Sequence, residues 1–161
     1  MIPRKSVGKD QALQKIRHYC GYQERCHAEV KEKLYSFGLY KQDVEALVAT
    51  LIEENYLNEE RFAQQFAGGK FRINQWGRKR IEYELKQKKV SDYCIRKGLK
   101  EINDTDYRET LQKLAENKCE QLVDERNGFT KRKKLSDYLL QKGYEYNYIT
   151  EVVASVLNKD Q

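Results

Sequence analysis

The sequence predicts an all-α protein: three tandem three-helix repeats, about nine helices, forming an elongated, curved array. Three observations carry this reading. The single proline stands at position 3, so the 158 residues after it lack the residue that most often breaks a helix. Every clear run of apolar periodicity steps by three and four, the spacing of one helix face. The same apolar spacing also occurs three times. From Val30, apolar residues follow as Leu34, Leu39, Val44, Val48 and Leu51, and from Ile81 the same offsets give Leu85, Val90, Ile95, Leu99 and Ile102. From Leu135 they give Leu139, Tyr144, Ile149, Val153 and Val156, so the unit recurs with periods of 51 and 54 residues.

The elements follow in order. After a tail over 1–10, the first repeat spans 11–58. Its first helix covers 11–20, with Leu13 and Ile16 three apart. Its second carries Val30, Leu34 and Phe37, and its third carries the broad stripe Val44, Leu47, Val48, Leu51 and Ile52. The second repeat spans 59–106 and opens with a helix over 59–71. Asn58 is its expected cap, Glu59 and Glu60 complement its dipole, and Leu57 with Phe62 form a hydrophobic staple. The third repeat spans 107–161, with a first helix over 107–124 capped by Asp104 or Asp106 and a last stripe of Ile149, Val152, Val153, Val156 and Leu157. Gly38 and Gly143 occupy the same offset and should end the second helix of their repeats with positive φ. Lys89 stands there in the middle repeat, so either that turn differs or the chain carries a strain of about 1 kcal/mol. A unit of ~50 residues has a small core, so neighbouring repeats should stabilise one another.

Composition excludes several classes. With 35% charged and 39% hydrophobic residues there is no apolar run near the ~18 that a membrane span needs, and no apolar segment follows the basic start as in a secretory leader. The expectation is a cytoplasmic protein with no membrane partner. Cys20, Cys26, Cys94 and Cys119 show no redox or zinc spacing, and His18, Cys20, Cys26 and His27 crowd onto one segment without a second ligand pair. Reduced structural thiols and no metal are expected. The sequence has no glycine-rich phosphate loop and no nucleophile elbow, and its two histidines read as surface or boundary groups. Neither catalysis nor a cofactor is expected.

The net charge is +6, from 31 Lys and Arg against 25 Asp and Glu, and it is unevenly spread. Over 70–100, eleven basic residues face three acidic ones, a net +8; over 101–125, eight acids face three bases, a net −5. The basic stretch supplies Lys70, Arg72, Arg78, Lys79 and Arg80, followed by Lys86, Lys88 and Lys89. A second cluster, Lys131, Arg132, Lys133 and Lys134, precedes Leu135 much as 78–80 precedes Ile81, and Arg25 is the weaker counterpart in the first repeat. Cations at a helix start oppose its dipole, so folding alone would not place them there. If the repeats stack alike, these thirteen residues line one face as a footprint for a phosphate backbone or an acidic protein. The bland alternative is a set of solvated helix starts. Trp76 reads first as a staple on the core and second as a base-stacking platform, and Tyr144 as a core residue with its hydroxyl at the surface.

Particular residues resemble a family. Tyr56, Leu57, Asn58, Glu59, Glu60, Arg61, Phe62 and Ala63, then Trp76, Gly77, Arg78, Lys79, Arg80 and Ile81, with Glu84, Leu85, Val90 and Ser91, are similar to the central signature of the RecX regulatory proteins. Lys134, Leu135, Leu139, Leu140, Lys142, Gly143, Tyr144 and Ile149 resemble that family's leucine-leucine-basic-basic-glycine-aromatic turn. Glu29, Val30, Lys33, Leu34 and Gly38 resemble its first-repeat helix. The chain departs from the pattern at Cys26, where a capping serine is usual, at Asn55 and at Lys89, where glycines are usual. The resemblance implies a monomeric helical regulator of the recombinase RecA. It would lie in the groove of the RecA filament on single-stranded DNA, limit filament growth and activity, and touch single-stranded and secondarily duplex DNA. A second reading, from the basic second helices alone, is an independent DNA-binding protein of helix-turn-helix-like repeats. A third, a purely structural adaptor, predicts binding that ignores salt.

Overall fold

The computed structural model describes residues 7–159, and among them nine α-helices and no strand are found. They are α1 (Lys9–Tyr22), α2 (His27–Ser36), α3 (Lys41–Glu53), α4 (Glu59–Asn74), α5 (Arg78–Gln87), α6 (Asp92–Leu99), α7 (Asp104–Gln121), α8 (Gly128–Lys142) and α9 (Tyr146–Lys159). Part of the tail expected over 1–10 lies outside the described residues, and α1 already begins at Lys9. Among the described residues no helix is long and apolar enough to cross a membrane.

Short polar side chains set the helix starts. Asn58 Oδ1 accepts the Arg61 amide at 3.0 Å, the expected cap of α4. The cap of α7 differs from expectation. Asn103 takes the Asp106 amide at 3.1 Å, because the helix starts at Asp104, three residues before the expected 107, which leaves Asp104 and Asp106 inside the first turn. Asn127 caps α8 by accepting from Phe129 and Thr130 at 3.0 and 3.2 Å. At α2, Cys26 stands in for serine in a capping box closed by Glu29, whose Oε1 lies 3.2 Å from the Cys26 amide and 3.1 Å from its thiol.

The second helices end alike. Gly38 (φ 87°), Lys89 (φ 63°) and Gly143 (φ 102°) all adopt the left-handed conformation at the same repeat offset. Around Lys89 the Val90 amide returns to the Leu85 carbonyl at 3.1 Å, as the Tyr144 amide returns to Leu139 at 3.2 Å. The middle turn therefore keeps its shape and lysine carries the strain. Asn55 (φ 64°) and Gln75 (φ 58°) are two further left-handed residues, at the ends of α3 and α4. Of the three sets of repeat positions every residue is buried except Leu99, which is partly so.

Two compact units emerge, and they do not coincide with whole repeats. The first takes the chain through Phe66 together with Leu85–Gly98; the second takes Ala67–Glu84 and the chain from Leu99 onward. In the first unit Ile16, Val30, Leu34, Val44 and Leu51 are fully buried at the centre of the α1–α3 core, with Leu57 added from the α3–α4 connection. The Glu59 carboxylate stands in the first turn of its own helix as expected and also accepts the His27 amide at the start of α2 at 3.1 Å and the Ser91 amide before α6 at 3.3 Å. Arg61 adds a second tie, its Nε lying 2.5 Å from Glu24. Gly98 of α6 lies so close to α4 that a Cβ would fall 2.6 Å from the Ala63 carbonyl oxygen. In the second unit the rings of Phe71, Tyr107 and Tyr144 run in series at 5.8 and 5.0 Å. Tyr144 is buried through its hydroxyl, contrary to the surface position expected. That hydroxyl donates to the Gln75 carbonyl at 3.0 Å, where α4 has run out of intrahelical partners.

Two substitutions test these constraints. Gly98→Ala should lower the unfolding free energy by about 1–3 kcal/mol, since backbone rather than a movable side chain opposes the new methyl. Lys89→Gly should raise it by about 0.5–1 kcal/mol by relieving the left-handed turn. Urea midpoints at unchanged slope measure both.

Candidate nucleic-acid interface

The basic cluster at the start of α5 is built by a helix-end junction in the second unit. No acid stands in the first turn of α5, and Arg78, Lys79 and Arg80 oppose its dipole. The opposing charge comes from the far end of the chain. The Gly77 amide donates to the Lys142 carbonyl at 2.8 Å and the Lys79 amide to the Gly143 carbonyl at 2.9 Å, so the carbonyl end of α8 meets the amide end of α5. Gly77 is required for this approach, since a Cβ would lie 2.3 Å from the Gly143 carbonyl group. Lys142 also donates from Nζ to the Asn74 carbonyl at 3.2 Å.

Arg78 is spent on this junction. Its guanidinium pairs with Glu145 at 3.0 Å and Asp104 at 3.2 Å and lies 3.9 Å over the Tyr107 ring, while its amide donates to the Tyr107 hydroxyl at 3.0 Å. Tyr107 in turn donates a short hydrogen bond to Glu145. Burial, reinforced by that bond, pushes the Tyr107 phenol far above its ordinary range, so it remains a donor. Burial alone would lower the pKa of Arg78, but the bonds to Glu145 and Asp104 outweigh it and hold the group above its ordinary value. Hydrogen bonds from Arg108 and then Arg78 hold the Asp104 carboxyl below the usual range.

Trp76 is partly exposed rather than part of the buried core, and its ring is flanked by Arg80 at 4.4 Å and Lys70 at 5.0 Å. Arg80 also reaches the Gln141 carbonyl at 3.4 Å. The structure thus brings Lys70, Trp76 and Arg80 together, with Lys79 exposed beside them in sequence and Arg72 exposed on α4. The later cluster divides. Lys133 pairs with Asp137 at 3.0 Å and Lys134 with Glu125 at 2.9 Å, while Lys131 and the exposed Arg132 edge a recess of about 340 Å³ with Arg126 and the exposed Phe129. Arg126 escaped the sequence reading, although it stands beside the capping Asn127.

In the first unit Arg25 is held by the Tyr19 carbonyl at 3.1 Å, with Glu29 at 4.0 Å. Lys86 is exposed and Lys88 lies 5.9 Å over the Phe66 ring. Lys88 and Lys89 edge a recess that also holds Glu29, Glu32 and Glu59, so its sign is mixed. Burial pushes the Cys26 thiol up to about 12 and Cys20 up to about 11, which keeps both protonated. Among the described residues no group of three His, Cys, Asp or Glu is placed to hold a metal ion.

Comparison with known proteins places this geometry in a family context. Residues 58–99 match the model of the second three-helix domain of RecX, and residues 105–153 match that of the third. The chain is 32% identical over 133 residues to a regulatory protein RecX of Clostridium perfringens, covering 82% of this chain and 62% of that one. It is 26% identical over 147 residues to a regulatory protein RecX of Streptococcus uberis, covering 91% of this chain and 54% of that one. The chain therefore spans roughly half to three fifths of the length of these relatives. Its fold is similar to a crystal structure of RecX from Lactobacillus salivarius, with a TM-score of 0.84, 22% identity, and coverage of 92% of this chain and 96% of that one.

The junction separates structural from available cations. Arg78→Ala should cost about 2 kcal/mol, because it strands the Glu145 and Asp104 carboxylates and uncovers Tyr107. Lys79→Ala should melt with the parent protein. Thermal denaturation of the two variants side by side reads the difference.

Proposed function

We propose that this chain, which belongs to the RecX family, binds the RecA filament on single-stranded DNA in the cytoplasm and limits RecA activity, without catalysing a reaction itself. The observation that carries the reading is the consecutive match to two RecX three-helix domains. The surface chemistry supports it. Exposed Lys79, Arg72 and Arg132, with the cation-flanked Trp76, offer phosphate contacts and an aromatic edge on helices whose ends are fixed by hydrogen bonds. Modest contacts of this kind gain strength from the repetition of protein and phosphate along a filament. Lys70, Arg80, Lys86, Lys88, Lys89 and Lys131 extend the interface. Arg25, Arg78, Lys133 and Lys134 serve it at most through the geometry they hold, being engaged by their own neighbours.

The test compares affinity for naked single-stranded DNA, duplex DNA and a preformed RecA filament at one salt concentration. Filament preference and inhibition of strand exchange are expected; equal affinity for DNA with and without RecA would favour an independent DNA-binding protein. Binding should weaken with salt, by about 0.7 in log–log slope per single-strand phosphate contact. Replacing Lys79 and Arg132 with alanine should accordingly flatten the slope by about 1.4 while leaving helicity intact. Unchanged slope and unchanged inhibition would place the interface elsewhere.

A further inference from the structure

The first unit carries another basic surface, outside the clusters at α5 and α8. On α1, Lys15, Tyr19 and Tyr22 share one face, with His18 beside Tyr19; Lys33, in the last turn of α2, stands four residues before Phe37, which caps that helix. With Arg25 from the connection between the helices, these side chains line a recess of about 580 Å³, the size range of small-ligand sites. None of its lining residues is acidic. Glu29, 4.0 Å from Arg25, does not line it and is bound into the α2 capping box.

Cations and rings alternate here. The Arg25 guanidinium lies 3.7 Å over Tyr19, the Lys33 ammonium stands 5.5 Å from Tyr19 and 5.8 Å from Phe37, and Lys15 stands 5.7 Å from Phe37. Tyr19 and Phe37 pack against the α1–α3 core, which fixes the recess walls. Tyr22 does not pack, being 79% exposed. Folding explains Tyr19 and Phe37, but it does not explain an aromatic ring left in water beside three cations, Lys15, Arg25 and Lys33. An occupant must be anionic and must carry flat apolar faces. An acidic peptide meets the first condition alone; a nucleotide chain meets both.

We infer that this recess binds single-stranded nucleic acid. Tyr22 and the open edges of Tyr19 and Phe37 take unstacked bases, and Lys15 and Lys33 take the phosphates between them, while Arg25 holds the Tyr19 ring in place. The inference deepens the filament-binding reading and rests on it for the class of partner. It adds residues that no charge cluster marks, and it places strand contact in the first repeat.

The experiment is fluorescence anisotropy of the full chain with labelled oligo-dT of about 15 nucleotides. The combined variant Lys15→Gln, Tyr22→Ala and Lys33→Gln changes only exposed side chains and should weaken binding about tenfold or more without altering helicity or melting temperature. Tyr22→Ala alone should weaken oligo-dT several-fold and leave an abasic strand of the same length unaffected, while Tyr22→Phe restores parental affinity. Unchanged affinity in the combined variant, equal binding of abasic and thymidine strands, or displacement by polyglutamate as readily as by unlabelled oligo-dT would each overturn the assignment. A combined variant that loses oligonucleotide binding yet still inhibits RecA supports the recess and moves the RecA contact elsewhere. Parent protein that shows Tyr22-dependent binding without any effect on RecA keeps the recess and removes the filament reading.

Discussion

Much of the second unit depends on one contact between backbones, the meeting of the carbonyl end of α8 with the amide end of α5. A helix leaves unsatisfied donors at one end and acceptors at the other, and here the deficits of two helices more than 60 residues apart in sequence cancel. The requirement for contact this close explains Gly77 and Gly143. It also explains why Tyr144, immediately after the junction, is drawn inward to bond Gln75, and why Arg78 finds two carboxylates waiting. Trp76 and Arg80 are displayed on a scaffold whose rigidity comes from that cancellation, so the surface chemistry inherits its geometry from a polar contact rather than from the apolar core.

Counting charges along the chain overstates what a partner would meet. The stretch around α5 is rich in cations, but Arg78 neutralises the carboxylates of Asp104 and Glu145, and Lys133 and Lys134 are matched by Asp137 and Glu125. What is left for recognition is sparser and more aromatic than the raw tally suggests: Lys79 and Arg132 in the open, Arg80 and Lys70 against an indole, and the tyrosine-lined recess of α1 and α2. Outside Lys79 and Arg132 these cations lie against aromatic rings, which suits a partner offering both charge and flat faces.

The repeats were legible because burial repeats: Val30, Ile81 and Leu135 head three series that the fold buries almost without exception. Turn chemistry was legible where glycine announced it, at Gly38 and Gly143, and Lys89 followed only because the register demanded it. Gln75 gave no signal, since glutamine is not a residue that announces a positive φ. Asn103, Asp104 and Asp106 are all good cappers, and their spacing alone does not single out Asn103 as the α7 cap. Of the site, the clusters could be read, but their partners could not. Arg78 and Glu145 lie 67 residues apart, and no local pattern joins them. At the start of α5, Arg78 has a structural reason to stand against the dipole, because Asp104 and Glu145 bring the balancing negative charge from outside the helix. The α1–α2 recess lay hidden in ordinary helical spacing: Lys15, Tyr19 and Tyr22 look like any half-wet helix face until Lys33 and Phe37 of α2 are set beside them.

The distribution of thiols has a practical side. Cys20, Cys26 and Cys119 are buried, the first two with acidities suppressed by burial, whereas Cys94 on α6 is partly open. A maleimide dye or spin label added to the native protein would therefore attach chiefly at Cys94, giving a reporter on the first unit without engineering a new attachment point or deleting an old one.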